Sequence, residues 1–462
     1  EKTQQGFYKK VVGLEGSQIY ALDYNTMDYV PQRKAVLPIL DELKKLDTTT
    51  SLRRLVYSKE RAGLFAWKTL KRMLLYCAAK IPEIADDIVT VDQAMRWGFN
   101  WELGPFQTWD ALGLKKSVER MKKEGDKIPE KIEQMLAAGR EHFYERRKGK
   151  SYYFDFAKAD YVEIEEKPQI IVLPSLKERT KLIKSNPGAS LIDLGDGVAC
   201  LEFHSQNNVI DPDVIQMISD SVAEVEENFE GLVISHQGTN FCVGADLRQI
   251  YSATQNKDWG ALELAVKDFQ QACMRIKYSE KPVVAAPFRM TLAGGCEICL
   301  AASLIMAHVE CYMGLVEFGV GLIPSGGGNK EMLFRATDWV PKALPSAVPG
   351  AGKPDLIPYI AKAFETIAMA KVSTCAQEAK ELTYMRPHDK ITMNYDHLLY
   401  YAKESVLALA EEGYLPPRRR DEIRVPGRTG KALLELFVYL LKDGLFITEY
   451  DAFMAKKLAY VL

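Results

Sequence analysis

The sequence predicts a multidomain protein, in which an all-α N-terminal domain is followed by an α/β domain with C-terminal helices. Apolar residues recur at three- and four-residue steps over 58–80, which indicates an amphipathic helix. From residue 188 onward, short apolar runs alternate with helical patterns, which is typical of α/β architecture. The chain has 462 residues, more than the roughly 100–200 of one domain.

Composition excludes several classes of protein. Sixty basic and 62 acidic residues give a formal charge of −2, which excludes a strongly basic nucleic-acid binder and an acidic disordered solubiliser. No uninterrupted apolar run reaches the length of about 18 residues that a transmembrane helix needs, and the start of the chain does not resemble a signal peptide. The eight cysteines are dispersed, which favours a reduced, cytoplasmic protein.

Helical patterns dominate residues 51–150, where no strand signal is evident. Thr90 and Gln93 match a capping box and predict a helix beginning at Thr90. Residues 151–187 are mixed, charged and interrupted by prolines, which predicts a connector between domains. We therefore expect one domain at 51–150 and another at 188–462.

The second domain opens with a hairpin. Apolar runs at 191–194 and 198–203 flank Gly195-Asp196-Gly197, a turn that needs positive φ. Asp211 followed by a proline predicts the start of a helix. Three further apolar segments predict buried strands: 231–235, 281–287 and 303–307. The region after 335 is predicted to be mostly helical.

Two loops place backbone amides at the starts of helices. Gly244 permits a tight approach, and the amide of Ala245 follows it near a predicted helix N-terminus. Gly294 and Gly295 follow a buried strand and let another group come close to the backbone. The amides of Ala245 and Gly294 together could form an oxyanion hole. Asp246 also fits a second interpretation, as a residue that favours the helix start.

Two isolated acids lie in apolar surroundings, Glu297 and Glu317. An unpaired buried carboxylate costs several kcal/mol or takes up a proton, so such a residue is a candidate acid or base. The alternative for Glu297 is a first-turn acid that interacts with the helix dipole, and the alternative for Glu317 is an exposed loop acid. Because they are twenty residues apart, only the fold could bring them together.

Other motifs favour structural roles. The glycine run 324–330 lacks the end of a phosphate loop and favours close packing at a helix start. Cys296 and Cys299 have no second pair to complete a zinc site, and the six histidines show no metal spacing, so no metal is predicted. The basic cluster, Arg418–Arg420 with Arg424 and Arg428, fits a solvated face or contact with a phosphate-bearing cofactor.

Residues 188–335 resemble the crotonase (enoyl-CoA hydratase/isomerase) superfamily. The resemblance rests on the hairpin and on four motifs in the family's order, at 241–247, 281–285, 293–297 and 321–327. It implies a spiral of ββα turns that binds a CoA thioester as substrate, with no cofactor in this chain. The amides of Ala245 and Gly294 match the family's oxyanion hole, and Glu297 and Glu317 match its two hydratase glutamates. The residues implied to lie against the substrate are Asn208, Gly244, Asp246, Gly295 and Pro324.

The implied reaction is hydration of a trans-2-enoyl-CoA to a 3-hydroxyacyl-CoA in fatty-acid β-oxidation. Two alternatives stay open: a Δ3-Δ2 enoyl-CoA isomerase, whose relatives usually keep only the acid matching Glu317, and a non-catalytic acyl-CoA-binding scaffold. Ala293 and Ser325 depart from the family, which commonly has glycine at both positions.

Residues 51–115 resemble the C-terminal helical domain of 3-hydroxyacyl-CoA dehydrogenases, most clearly over 85–100 and 104–114. The segment 6–9 looks like the tail of a preceding helical copy, so 1–50 is interpreted as that tail and a linker. The resemblance implies a fragment of a bifunctional protein whose NAD-binding dehydrogenase domain precedes Glu1. Dehydrogenase activity is then expected only in the full-length protein, and a homo-oligomer and a thiolase partner are implied by analogy.

Overall fold

The structure is a computed structural model that describes residues 6–13, 16–33, 35–44, 46–99, 101–341, 354–420 and 422–462. The chain divides into two compact units, Glu1–Ile164 and Glu165–Leu462. Each unit has an apolar core of its own. The predicted fold class, a helical domain followed by an α/β domain with C-terminal helices, is confirmed.

The first unit is a group of helices flanked in sequence by two small antiparallel sheets. Its helices are α1 (Pro38–Leu43), α2 (Thr48–Val56), α3 (Arg61–Ala79), α4 (Ile88–Phe99), α5 (Pro105–Leu112), α6 (Leu114–Lys123) and α7 (Glu130–Ala137). Its strands are β1 (Tyr8–Gly13), β2 (Gly16–Leu22), β3 (Tyr29–Pro31), β4 (Tyr144–Arg147), β5 (Lys150–Asp155) and β6 (Asp160–Glu163).

The predicted amphipathic helix is α3, which buries Trp67 and Leu74 in the core of the first unit. The predicted helix start at Thr90 is wrong, because α4 begins two residues earlier and the Asp87 side chain accepts a hydrogen bond from the Thr90 amide at 2.7 Å. Asp92 is buried inside α4, and its carboxylate accepts hydrogen bonds from Phe106 and Gln107 amides of α5. It therefore stabilises the start of a neighbouring helix.

The two small sheets were not predicted. Residues 8–31, interpreted as the tail of a helical repeat, form β1–β3, and residues 144–163, divided between a helical domain and a connector, form β4–β6. Many residues of β4–β6 are charged or exposed, which hides the alternating pattern of a strand. The local signal is Lys148-Gly149, whose positive φ angles close the hairpin between β4 and β5.

The second unit contains strands and helices that alternate along the chain. Its strands are β7 (Leu182–Ser185), β8 (Ala189–Asp193), β9 (Val198–Phe203), β10 (Gly231–Ile234), β11 (Val283–Ala285), β12 (Arg289–Leu292), β13 (Leu304–His308), β14 (Cys311–Gly314) and β15 (Lys390–Thr392). Its helices are α8 (Leu173–Glu178), α9 (Pro212–Asn228), α10 (Leu247–Gln255), α11 (Trp259–Lys277), α12 (Gly294–Ala301), α13 (Gly328–Thr337), α14 (Ile357–Ala368), α15 (Ala376–Glu381), α16 (Leu398–Glu411), α17 (Gly427–Asp443) and α18 (Glu449–Val461).

Seven strands form one sheet in the order β15-β13-β11-β10-β9-β8-β7. The strands from β9 to β15 pair in parallel, whereas β7–β8 and β8–β9 are antiparallel. The predicted hairpin is β8–β9, and the predicted helix after Asp211 is α9, which the Asp211 side chain caps.

A second row of pairing runs beside the large sheet. Cys242 pairs in parallel with Thr291 of β12, and β12 pairs in parallel with β14. The segments that follow β10, β11 and β13 therefore each contribute to this second row of pairing. The segments after β10 and β11 then continue into helices. This repeat of strand, strand and helix places the segments after Cys242 and after β12 next to each other.

Within the described ranges, none of the helices combines the length and the apolar character that crossing a membrane would require.

Candidate active site

The two predicted amide loops meet at the ends of paired strands. The Cys242 carbonyl accepts a hydrogen bond from the Leu292 amide at 2.9 Å, which joins the loops just before both glycines. Gly244 has a φ of +96°, and a Cβ there would lie 2.7 Å from the Cβ of Ala293 and 3.5 Å from the Gly294 nitrogen. Glycine is therefore required at 244 both for its backbone conformation and for the close approach of the two loops.

The amides of Ala245 and Gly294 are available to a ligand. Gly294 is the first residue of α12, so its N–H has no acceptor within the helix. Among the described residues, neither amide donates a hydrogen bond to the protein backbone. Because the positive end of a helix dipole lies at Gly294, this pair of donors favours negative charge.

Ala293, which precedes Gly294, has an unusual backbone. Its φ is +51° and its ψ is −124°, a combination that L-residues rarely adopt and glycine adopts readily. Its amide donates to the Gly314 carbonyl at 2.8 Å, which fixes the end of β12 against β14. Alanine at 293, where the family commonly has glycine, therefore has a strained backbone directly before the first amide of α12.

Glu297 is buried in the first turn of α12, with 4% of its surface exposed. Its Oε1 accepts a hydrogen bond from the Gly328 amide at 2.7 Å. Burial raises the pKa of the carboxyl above its usual range, and the amides of the glycine run 326–328 oppose part of that rise. Glu297 is thus a buried carboxyl held by backbone donors.

Glu317 begins the short 3₁₀ helix Glu317–Val320. Its Oε2 is buried and has no hydrogen-bond partner among the described residues. Burial raises the pKa of Glu317, and the negative charge of Glu297 raises it further. The fold therefore brings Glu297 close enough for its negative charge to favour the protonated form of Glu317.

The glycine run has a role that sequence reasoning missed. A Cβ at Gly326 would lie 2.6 Å from Glu297 Oε2, and a Cβ at Gly328 would lie 3.0 Å from Glu297 Oε1. Close packing at a helix start, the predicted role of this run, is confirmed, since Gly328 begins α13. That the packed group is Glu297 could not be read from the pattern, although free amides at a helix start indicate an anionic contact.

The other residues predicted to bind substrate have contacts within the protein. Asn208 has a positive φ of 52°, and its side chain donates to the Asn240 carbonyl at 3.0 Å. The Asp246 side chain caps α10 by accepting from the Arg248 amide, as its alternative interpretation predicts. The remaining two lie beside the amide loops and Glu297: Gly295 packs on Cys242, and Pro324 packs on Gly328.

Cys296 and Cys299 are buried free thiols, and burial raises the pKa of each. Among the described residues, no group of three or more histidine, cysteine, aspartate or glutamate side chains is arranged to hold a metal ion. The two thiols serve as small apolar residues of the core.

Part of the chain matches a known family, and the whole chain is similar to a known protein. Residues 193–343 match the model of the enoyl-CoA hydratase/isomerase family. The whole chain is 47% identical to a Bacillus subtilis protein named a probable 3-hydroxyacyl-CoA dehydrogenase, and it spans 56% of that relative's length.

Two further similarities each cover part of the chain. A crotonyl-CoA hydratase of Syntrophomonas wolfei is 32% identical over 130 residues, which cover 27% of this chain and 48% of that protein. The crystal structure of an enoyl-CoA hydratase from Polaromonas sp. JS666 aligns with a TM-score of 0.39 and 19% identity, over 59% of this chain and 90% of that one.

Proposed function

We propose that the second unit hydrates trans-2-enoyl-CoA thioesters to 3-hydroxyacyl-CoA, using the Ala245 and Gly294 amides and the carboxyls of Glu297 and Glu317. The observation that carries the proposal is that Glu297 is buried close enough to Glu317 for its charge to raise the pKa of Glu317. Glu297 also lies in the helix whose first amide, at Gly294, has no backbone acceptor among the described residues. An acid and a base of matched pKa are what addition of water across a double bond needs.

In this reaction the thioester carbonyl accepts hydrogen bonds from the two amides. Those donors stabilise the negative charge that develops on the carbonyl oxygen when water adds to the β carbon, and one such donor contributes about 2.7–4 kcal/mol. One glutamate removes a proton from the water, and the other delivers a proton to the α carbon. General acid–base catalysis of this kind contributes roughly 10²–10⁴-fold.

The causes of the two pKa shifts favour a division of roles. Glu297 accepts hydrogen bonds from backbone amides, which stabilise its ionised form, so it suits the base that removes a proton from water. Among the described residues, one oxygen of Glu317 has no hydrogen-bond partner, and the negative charge of Glu297 acts on the same carboxyl; both favour the protonated form of Glu317. It therefore suits the acid that delivers a proton to the α carbon.

The test is loss of the enoyl-thioester absorbance when the purified chain is mixed with crotonyl-CoA. Wild type should consume the substrate, and Glu297→Gln and Glu317→Gln should each lose at least about a hundredfold in kcat. Binding of crotonyl-CoA by calorimetry should survive in both variants. Wild-type binding without turnover would refute the hydratase and favour the scaffold.

The isomerase alternative makes a different prediction for the same variants. It requires only the acid at Glu317, so Glu297→Gln would retain conversion of a 3-enoyl-CoA while Glu317→Gln would lose it. The amide contacts that hold Glu297 favour the hydratase, because an isomerase would have no use for a second oriented carboxyl.

We further propose that this activity belongs to a bifunctional β-oxidation protein. Hydration yields a 3-hydroxyacyl-CoA, which is the substrate class named for the Bacillus subtilis relative. An NAD-dependent dehydrogenase domain would then lie in the part of the protein that this chain does not span. The first unit would serve as that domain's helical part, with domain boundaries near 51–150 and 188–462.

A cytoplasmic location is proposed from the eight free cysteines. Association with a second copy of the chain or with a thiolase is also a proposal, and light scattering of the full-length protein, alone and with a thiolase, tests both.

A further inference from the structure

A cavity of about 370 Å³ lies at the C-terminal end of α12, at the opposite end of that helix from Gly294. Ala301, which lines the cavity, comes seven positions after Gly294, so the two ends are about 10 Å apart along the helix axis. Aromatic side chains, among them Tyr278 and Trp339, contribute to its wall. The proposed hydration uses none of these residues.

Positive charge exceeds negative charge around this cavity. Five cationic side chains line it: Lys277, Arg335, Arg386, Arg418 and Arg420. Three carboxylates pair with members of this set. Asp338 pairs with Arg420 at 2.6 Å, Glu331 pairs with Lys277 at 2.5 Å, and Asp389 pairs with Arg386 at 3.4 Å. The cavity therefore has two more cationic side chains than there are carboxylates paired with them.

The excess of positive charge affects Arg335 most. Only 9% of the residue is exposed, and its Nε has no hydrogen-bond partner among the described residues. Its nearest carboxylate contact, with Glu331, is long at 3.5 Å and is shared with Lys277 and Lys330. Burial lowers the pKa of Arg335, and the charge of Arg386 lowers it further. Arg335 therefore shares one carboxylate with two lysines, so its positive charge is only partly balanced.

Helix capping explains only part of this arrangement. Arg335 donates to the Leu300 carbonyl at 3.1 Å, and Arg386 donates to the Ala302 carbonyl at 2.7 Å, so both stabilise the end of α12. Arg418 has no such role. It is exposed at the cavity, and no hydrogen bond or ion pair joins it to any described residue.

We propose that this cavity binds the phosphate group of a small anionic ligand, with Arg335, Arg386 and Arg418 supplying the positive charge. Guanidinium groups suit phosphate because their planar donors match its oxygens in pairs. The exposed ring of Trp339 beside the cavity suits a nucleoside diphosphate, whose base could stack there. The proposal does not depend on hydratase activity, since the cavity lies apart from Glu297.

His388 provides a reporter, because it lines the same cavity. Its pKa is lowered by burial and then by the charge of Arg386. A phosphate bound among these cations would add negative charge and raise the pKa of His388 by roughly 1. Proton NMR of the imidazole, assigned by comparison with His388→Gln, measures this pKa without and with pyrophosphate, ADP or adenosine.

Pyrophosphate and ADP should both raise the His388 pKa, and adenosine, which lacks phosphate, should not. ADP binding tighter than pyrophosphate would identify a nucleotide as the source of the phosphate, and equal binding would identify phosphate alone. Arg418→Glu, an exposed position at which folding should be retained, should weaken pyrophosphate binding at least tenfold by calorimetry.

Arg428→Glu is the matched control. It makes the same change of charge in the same basic cluster, but Arg428 does not line the cavity. It should leave pyrophosphate binding unchanged. An unchanged His388 pKa with both phosphates, a response to adenosine, or equal loss of binding in Arg418→Glu and Arg428→Glu would overturn the proposal.

Discussion

Substitution of Gly326 by alanine tests how tightly the glycine run encloses Glu297. A Cβ at this buried position would lie 2.1 Å from the Cε1 of Phe269 and 2.6 Å from Glu297 Oε2. Non-bonded carbons prefer about 3.5–4.0 Å, so the ring or the loop must move by roughly 1.5 Å. Overpacking of this kind costs about 1–3 kcal/mol of stability.

The same displacement should impair catalysis. Because Oε2 lies in the path of the new methyl group, the Glu297 carboxyl must move with the loop, and misplacement by about 1 Å costs on the order of 10²-fold in rate. We expect Gly326→Ala to lower kcat for crotonyl-CoA hydration by about that factor, with a lower melting temperature by circular dichroism.

The control is Gly319→Ala, in the 3₁₀ helix that carries Glu317. A Cβ there would meet only the Cβ of Ala370 at 4.0 Å, so this variant should keep both kcat and melting temperature. Wild-type kcat and wild-type stability in Gly326→Ala would refute the enclosure of Glu297 by the loop. Equal losses in both variants would show that any alanine near the site is harmful.

Three further predictions concern backbone strain, protonation and the buried ion pairs. Ala293→Gly should raise the free energy of unfolding in urea by about 1 kcal/mol, because it relieves a strained φ of +51°; a loss of stability would contradict the assigned strain. Burial raises the pKa of both Glu297 and Glu317. On the acid side, kcat/KM should therefore fall as Glu297 gains a proton, at a pH above the usual glutamate pKa of about 4.3. On the alkaline side, kcat/KM should fall as Glu317 loses its proton. An acid limb at the ordinary pKa would exclude a raised pKa for the base. Glu331→Gln should lower the free energy of unfolding in urea by about 3–5 kcal/mol, because it leaves half-buried Lys277 and buried Arg335 without their carboxylate; a loss under about 1 kcal/mol would show that this cluster is solvated.

Local pattern was sufficient for much of the second unit. The hairpin, the helix after Asp211 and the buried strands follow from alternation, caps and apolar runs, which depend on neighbouring residues. The same reasoning failed for β4–β6, where charged residues obscure the strand pattern. It also misplaced the start of α4, because Asp87 competes with Thr90 for the capping role.

For the candidate site, the sequence by itself determined which chemical groups are present: two amides at helix starts, two acids among apolar residues, and a glycine run. Only the tertiary structure decided that Glu297 lies against the run 326–328 and that its charge reaches Glu317. The physical reason is the distance along the chain over which each effect acts. Periodicity and capping act over a few residues, whereas burial and Coulomb interaction depend on which distant segments the fold brings together, and those set the pKa of each acid.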